Sequence, residues 1–152
     1  MKRVHFSEQV VHGLTIRTDN NTEFNPETGK ISGLWQKFDQ QVPVNYRGGE
    51  RVFGVYDQYE SDHTGQFNVL AGFDGSTFPD KINLTKKVIP TGEYLVFTKK
   101  GEMPQIAIEA WTEIWQYFCN EESAPEYQRN FLVDFEYYPG PNEIQVHIGI
   151  KR

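Results

Sequence analysis

The sequence predicts an α+β domain in which a strand-helix-strand-strand module occurs twice and builds one antiparallel sheet with two helices on one face. Three observations predict it. Two segments carry apolar residues at helical spacing, six alternate at the period of a strand, and both halves of the chain run through them in the same order. The halves also share local sequence. "GLWQKF" (33–38) and "EIWQYF" (113–118) both read apolar-Trp-Gln-x-Phe, 80 positions apart, and "VLAGF" (69–73) and "VHIGI" (146–150) set Gly72 and Gly149 77 positions apart. Two anchors at nearly one offset point to an internal duplication.

The first half, residues 8–74, opens on "VVHGLTIRT" (10–18), where Leu14 and Ile16 alternate with Thr15 and Arg17 as in a strand. A polar, turn-rich loop follows, "DNNTEFNPETG". Ile31, Leu34, Trp35 and Phe38 then fall at i, i+3, i+4 and i+7, one stripe of an amphipathic helix. Pro43 and Gly48-Gly49 end it. Residues 51–60 and 66–74 read as strands around "SDHTG". A linker spans 75–92. The second half, 93–152, repeats the order: a strand at 93–101, and a helix after Pro104 with Ala107, Ala110, Trp111, Ile114, Trp115 and Phe118 on its stripe. Two strands, 130–138 and 142–150, close it around "PGPN".

Composition narrows the function. A chain of 152 residues buries enough surface to fold without disulfides or metal. Its single cysteine, Cys119, rules out an intrachain disulfide framework or a cysteine-based metal cluster, and it has no base nearby in sequence to make it a nucleophile. The net charge of −6 repels a phosphate backbone, so direct nucleic-acid binding is not expected. No apolar run reaches the length of a membrane span, and the N-terminus lacks the apolar core of a signal peptide. The expected location is cytoplasmic. No cofactor is implied. The unusual feature is 8 Tyr, 11 Phe and 3 Trp, enough rings to line a surface as well as fill a core.

Strand alternation assigns these rings to faces. Val133, Phe135 and Tyr137, with Ile144, Val146, Ile148 and Ile150, are expected beneath the helices. The opposite set carries Leu132, Asp134, Glu136, Tyr138 and His147. In the first half Tyr56 is expected in the core, leaving Phe53, Val55, Asp57 and Tyr59 opposite. On the strand at 93–101, Leu95 and Phe97 face the helices and Tyr94 the other way. The sheet face away from the helices is therefore expected to be aromatic and acidic. Such a surface suits a lipophilic cation, since ring faces attract positive charge and a carboxylate pairs with it. The ligand-binding candidates are Glu136, Tyr138, Tyr59, Phe53, Asp57, Tyr94 and His147. Trp35, Trp111 and Trp115 are read as core, and Glu109 and Glu113 as a solvated helix face.

"VFGVYDQYE", "VLAGF", the Trp-bearing helix, "DFEYY" and "EIQVHIGIK", in that order over roughly residues 8–152, resemble the gyrase-inhibitor-like effector-binding fold. This fold also forms the ligand domain of AraC-type (Rob C-terminal-domain-like) and some MerR-type multidrug-responsive regulators. The chain looks closest to the stand-alone form carried on integron cassettes. The resemblance implies a cleft across the sheet that takes amphipathic, often cationic, small molecules on aromatics and a buried glutamate. Glu136 matches that glutamate. Gln145 and His147 depart from the pattern, where relatives place Glu and Tyr. No helix-turn-helix is legible, so the expected activity is ligand binding without DNA contact, and not catalysis. Two alternatives stand beside it. One is a hydrolase using Glu136 with Tyr138, as in some relatives of this fold. The other is a protein-interaction role, in which the exposed rings meet a partner or a second copy.

Overall fold

A computed structural model describes residues 1–119 and 125–151. These residues form eight strands and three α-helices: β1 (Lys2–Phe6), β2 (Gln9–Thr18), α1 (Asn20–Phe24), α2 (Ile31–Gln41), β3 (Val52–Asp57), β4 (Phe67–Phe73), β5 (Thr85–Ile89), β6 (Gly92–Lys100), α3 (Gln105–Phe118), β7 (Arg129–Gly140) and β8 (Glu143–Ile150). All strands join one antiparallel sheet in the order β1-β6-β8-β7-β3-β4-β2-β5. The α+β class and the order strand-helix-strand-strand in each half are as the sequence predicts. Three elements were not legible. The segment 75–92 contains β5, which pairs with β2. β1 precedes residue 8 and pairs with β6. The polar loop holds α1, capped by the Asp19 side chain accepting from the Thr22 N–H at 2.7 Å.

Two short connections set the shape of the sheet. β5 and β6 lie six strand spacings apart in the order, roughly 29 Å in a flat sheet at about 4.8 Å each. Pro90 and Thr91 alone connect them, and three Cα steps span at most about 11 Å. β1 and β2 are likewise joined across the sheet by Ser7 and Glu8. The sheet must curl until its edges approach. The Glu8 N–H, donating to Thr91 Oγ1 at 2.9 Å, ties the two crossings together. The concave side is then filled rather than open. Val11, Phe53, Val55, Leu70, Ile89, Tyr94 and Phe135 make one buried core there, closed over by Phe6.

The helices occupy the convex side, α2 on β2 and β4, α3 on β6 and β8. Leu34 and Phe38 anchor α2 against Val52, Val69 and Phe73. Ile106, Ala110 and Ile114, four apart, anchor α3 against Leu95, Phe97, Val146 and Ile148. Each helix thus covers one flank, and the two central strands, β7 and β3, lie beneath the gap between them.

Candidate functional site

That gap is a cavity of about 600 Å³. α2 supplies Ile31 and Trp35, α3 supplies Ala107, Trp111 and Trp115, and the sheet supplies Tyr56, Phe67, Glu136 and Tyr138. Phe24, Met103 and Ile108 stand at the cavity as exposed apolar side chains. The rings touch in sequence: Trp35 on Tyr138 at 5.7 Å, Tyr56 on Trp111 at 5.2 Å, Trp111 on Trp115 at 6.3 Å and Trp115 on Phe24 at 5.6 Å. Glu23 fixes the approach of α2. Its carboxylate accepts from Thr18 Oγ1 at 2.6 Å, the Lys30 N–H at 2.8 Å and the Ile31 N–H at 3.0 Å.

Glu136 lies on the cavity floor and is 3% exposed. Its Oε2 accepts from Trp111 Nε1 at 2.7 Å and from the Tyr56 hydroxyl at 2.9 Å; its Oε1 accepts from the Tyr138 hydroxyl at 2.8 Å. None of the ion pairs among the described residues includes it. Burial raises its pKa above the usual glutamate range, against the pull of the hydrogen bonds from Trp111, Tyr138 and Tyr56. Burial, and then the nearby Glu136 charge, push the phenols of Tyr56 and Tyr138 well up, so both stay protonated donors. All three groups donate to the carboxylate, and Trp111 Nε1 can only donate, an arrangement that suits the ionised form. Gly54 pairs with Glu136 across the ladder, and a Cβ there would stand 2.5 Å from Oε1 and 3.1 Å from Trp35. Only glycine leaves the carboxylate and the indole room on that strand.

Two residues along β7 lies a second sealed carboxylate. Asp134 is 0% exposed and accepts from Arg129 Nη2 at 2.6 Å, from the Gly149 N–H at 2.8 Å and from the Tyr59 hydroxyl. Arg129 is an odd number of residues away and belongs on the other face of a regular strand. A bulge between Arg129 and Asp134, with Phe131 at φ 52°, turns it back. The guanidinium sits over the Phe131 ring at 4.3 Å.

Of the seven sequence-predicted residues, Glu136, Tyr138 and Tyr59 line this cavity. The other four do not, and the expected face was the wrong one: the cavity lies between the helices, on the side they cover. On β7 the register sets Glu136 opposite Val146, on the α3 side, and turns Phe135 to the concave core. Phe53 and Tyr94 are packed in that core, where the Tyr94 hydroxyl donates to the Pro90 carbonyl and burial pushes its pKa up to about 12. His147 stacks on Phe135 at 4.2 Å and 14°; burial takes its pKa down to about 4. Asp57 is ion-paired with Lys87 at 2.6 Å. Tyr59 reaches the cavity because Gln58 has φ 51°, which breaks the alternation after Asp57.

The tryptophans correct a second expectation. Trp35, Trp111 and Trp115 are half-buried walls of the cavity, not core. An indole N–H that is covered needs an acceptor, and that requirement was the signal available for Trp111. The two related hexapeptides thus contribute Trp35 and Trp115 to opposite walls. Glu113, read as solvated, pairs with Lys99 at 2.7 Å while remaining partly exposed.

An aromatic cavity over a sealed carboxylate, on a curled sheet flanked by two helices, is a ligand-binding arrangement. Residues 4–150 match the integron-associated effector binding protein family. The chain belongs to that family. This effector-binding protein is similar to an integron cassette protein from the mobile metagenome of Vibrio cholerae, VCH_CASS2. The two are 34% identical with a TM-score of 0.87, covering 99% of this chain and 95% of that one. SAV2435, solved bound to tetraphenylphosphonium, shares the fold at 15% identity and a TM-score of 0.69, over 99% and 93% of the two chains. The transcriptional regulator BrlR of Pseudomonas aeruginosa is 30% identical over 111 residues, which is 71% of this effector-binding chain and 38% of the regulator's length. No helix among the described residues is long and apolar enough to cross a membrane.

Proposed function

We propose that this effector-binding protein takes lipophilic or amphipathic organic cations into the cavity between α2 and α3, with Glu136 as their counter-charge. One observation carries the reading: a carboxylate 3% exposed, fixed by three donors and paired with no cation among the described residues. An isolated charge is expensive to seal from water. A guest cation provides the missing partner, and the surrounding rings add about 0.5–2 kcal/mol for each well-placed face. The tetraphenylphosphonium held by SAV2435, a protein of the same fold, is a guest of this kind.

The hydrolase alternative draws on the same carboxylate. Three hydrogen bonds to its oxygens stabilise the ionised form and occupy three of the roughly four acceptor positions a general base would draw on. That favours binding over proton abstraction.

The test is a titration with tetraphenylphosphonium, read by quenching of the tryptophans that wall the cavity. Saturable quenching is expected, with affinity at least tenfold weaker in Glu136→Gln and with little quenching by neutral triphenylphosphine oxide. Absent saturation, or a variant that binds like the parent, would count against the reading.

A further inference from the structure

A carboxylate offers about four acceptor positions. On Glu136 three are occupied, by Trp111 Nε1 at 2.7 Å, Tyr138 at 2.8 Å and Tyr56 at 2.9 Å. All three donors are themselves cavity walls. Of the other acidic residues of the lining, Glu23 receives hydrogen bonds from Thr18, Lys30 and Ile31, and Asp39 is exposed to solvent. The floor of the cavity around Glu136 therefore presents negative charge but almost no free acceptor capacity.

We propose that the cavity selects cations whose positive centre carries no N–H, or only one, and discriminates against primary ammonium and guanidinium groups. Quaternary ammonium, phosphonium and delocalised ring cations form the favoured class. This rests on Glu136 being the counter-charge and adds which positive charges it accepts. A primary ammonium brings three donors to a floor with one position left. Its other two N–H groups face ring carbons, or else they displace Trp111, Tyr56 or Tyr138 and leave that buried donor without an acceptor. A quaternary centre needs no hydrogen bond. It is held by charge and by the faces of Trp35, Trp111 and Trp115. Trp111, Tyr56 and Tyr138 are on this account the specificity-determining residues, acting by saturating the carboxylate.

The experiment uses one aryl-alkyl scaffold ending in a primary amine, a dimethylamine or a trimethylammonium group, at neutral pH where all three heads are positive. Affinities are measured by calorimetry on the full chain. The expected order is trimethyl over dimethyl over primary, with at least tenfold between the ends. Tyr138→Phe frees a position on Oε1, and there the primary amine gains and the ratio falls by several-fold; Tyr56→Phe is the second variant and frees one on Oε2. Equal or tighter binding of the primary amine by the parent chain overturns the proposal. So does a ratio that stays the same in both variants, because the preference would then come from hydration of the ligands alone. Saturable binding of all three heads without discrimination sinks only this proposal, whereas no saturable binding of any head sinks it together with the function proposed above.

Discussion

Asp134 and Glu136 sit two residues apart on one face of β7, and both are all but closed to solvent, at 0% and 3% exposure. Asp134 holds an arginine at 2.6 Å. Glu136 holds two phenols and an indole, none of them charged. A charge taken out of water stabilises a fold only when its partner comes with it. Asp134 therefore reads as part of the scaffold. The bulge that bends Arg129 back, and the Gly149 N–H that completes its shell, are devices for closing a pair. Glu136 is built to be stable while waiting: enough donors to tolerate the charge, none to cancel it. The proposed function assigns ligand binding to one carboxylate, and the ion pair assigns architecture to the other.

The largest effect should come from opening the closed pair. Arg129→Leu leaves Asp134 buried with an uncompensated charge, which costs about 3–5 kcal/mol. At 2–4 °C per kcal/mol for a chain of this size, the melting temperature should fall by roughly 10 °C. A drop of a degree or two would erase the distinction between the two carboxylates.

A smaller, pH-dependent effect separates them further. The folded protein binds the Glu136 proton more tightly than the unfolded chain does, because burial raises its pKa. Its contribution to the stability of the empty protein is thus fully present below the ordinary glutamate range and is lost as pH rises through the raised value. Cation binding runs the other way. It needs the carboxylate, so affinity for tetraphenylphosphonium should decline as pH falls through that value. A calorimetric series from pH 8 to pH 4 checks this, and affinity that rises toward acid would contradict it.

Smaller again is the contribution of a single wall. Trp35→Leu removes one ring face beside Tyr138 and should weaken the same cation by about 0.5–2 kcal/mol, or 2- to 30-fold. An unchanged affinity would place the guest away from α2.

How much of this the sequence discloses follows from the same geometry. Both long helices and six of the strands are legible because their apolar residues keep helical or strand period. β1 and β5 are short edge strands: β1 sets only Val4 and Phe6 against the concave core, too short a run to mark a strand, and β5 lies in a polar stretch with exposed Thr85 and Lys86. The site was half legible. Glu136, Tyr138 and Tyr59 could be singled out as a carboxylate among rings, but not the face they occupy. Alternation identifies a face only when one side of a strand is wet. The curl of the sheet buries Phe135 on the concave side while Glu136 enters the cavity on the other, so polarity along β7 points the wrong way. The same curl removes Phe53, Tyr94 and His147 from any surface. The tryptophans were misread because a helix stripe facing a cavity has the period of one facing a core.

The central claim is that Glu136, unlike Asp134, is unpaired for the sake of a ligand. Its most direct test is the melting temperature of the parent chain and of Glu136→Gln, each with and without tetraphenylphosphonium at about 100 times its dissociation constant for the parent. The empty variant should melt at or above the parent, because a sealed unpaired charge has been removed. With ligand the order should reverse: the parent gains about 2.7 kcal/mol, roughly 5–10 °C, and the variant far less. A variant that melts well below the parent when empty, or that gains as much from the cation, would make Glu136 a second structural charge and contradict the account.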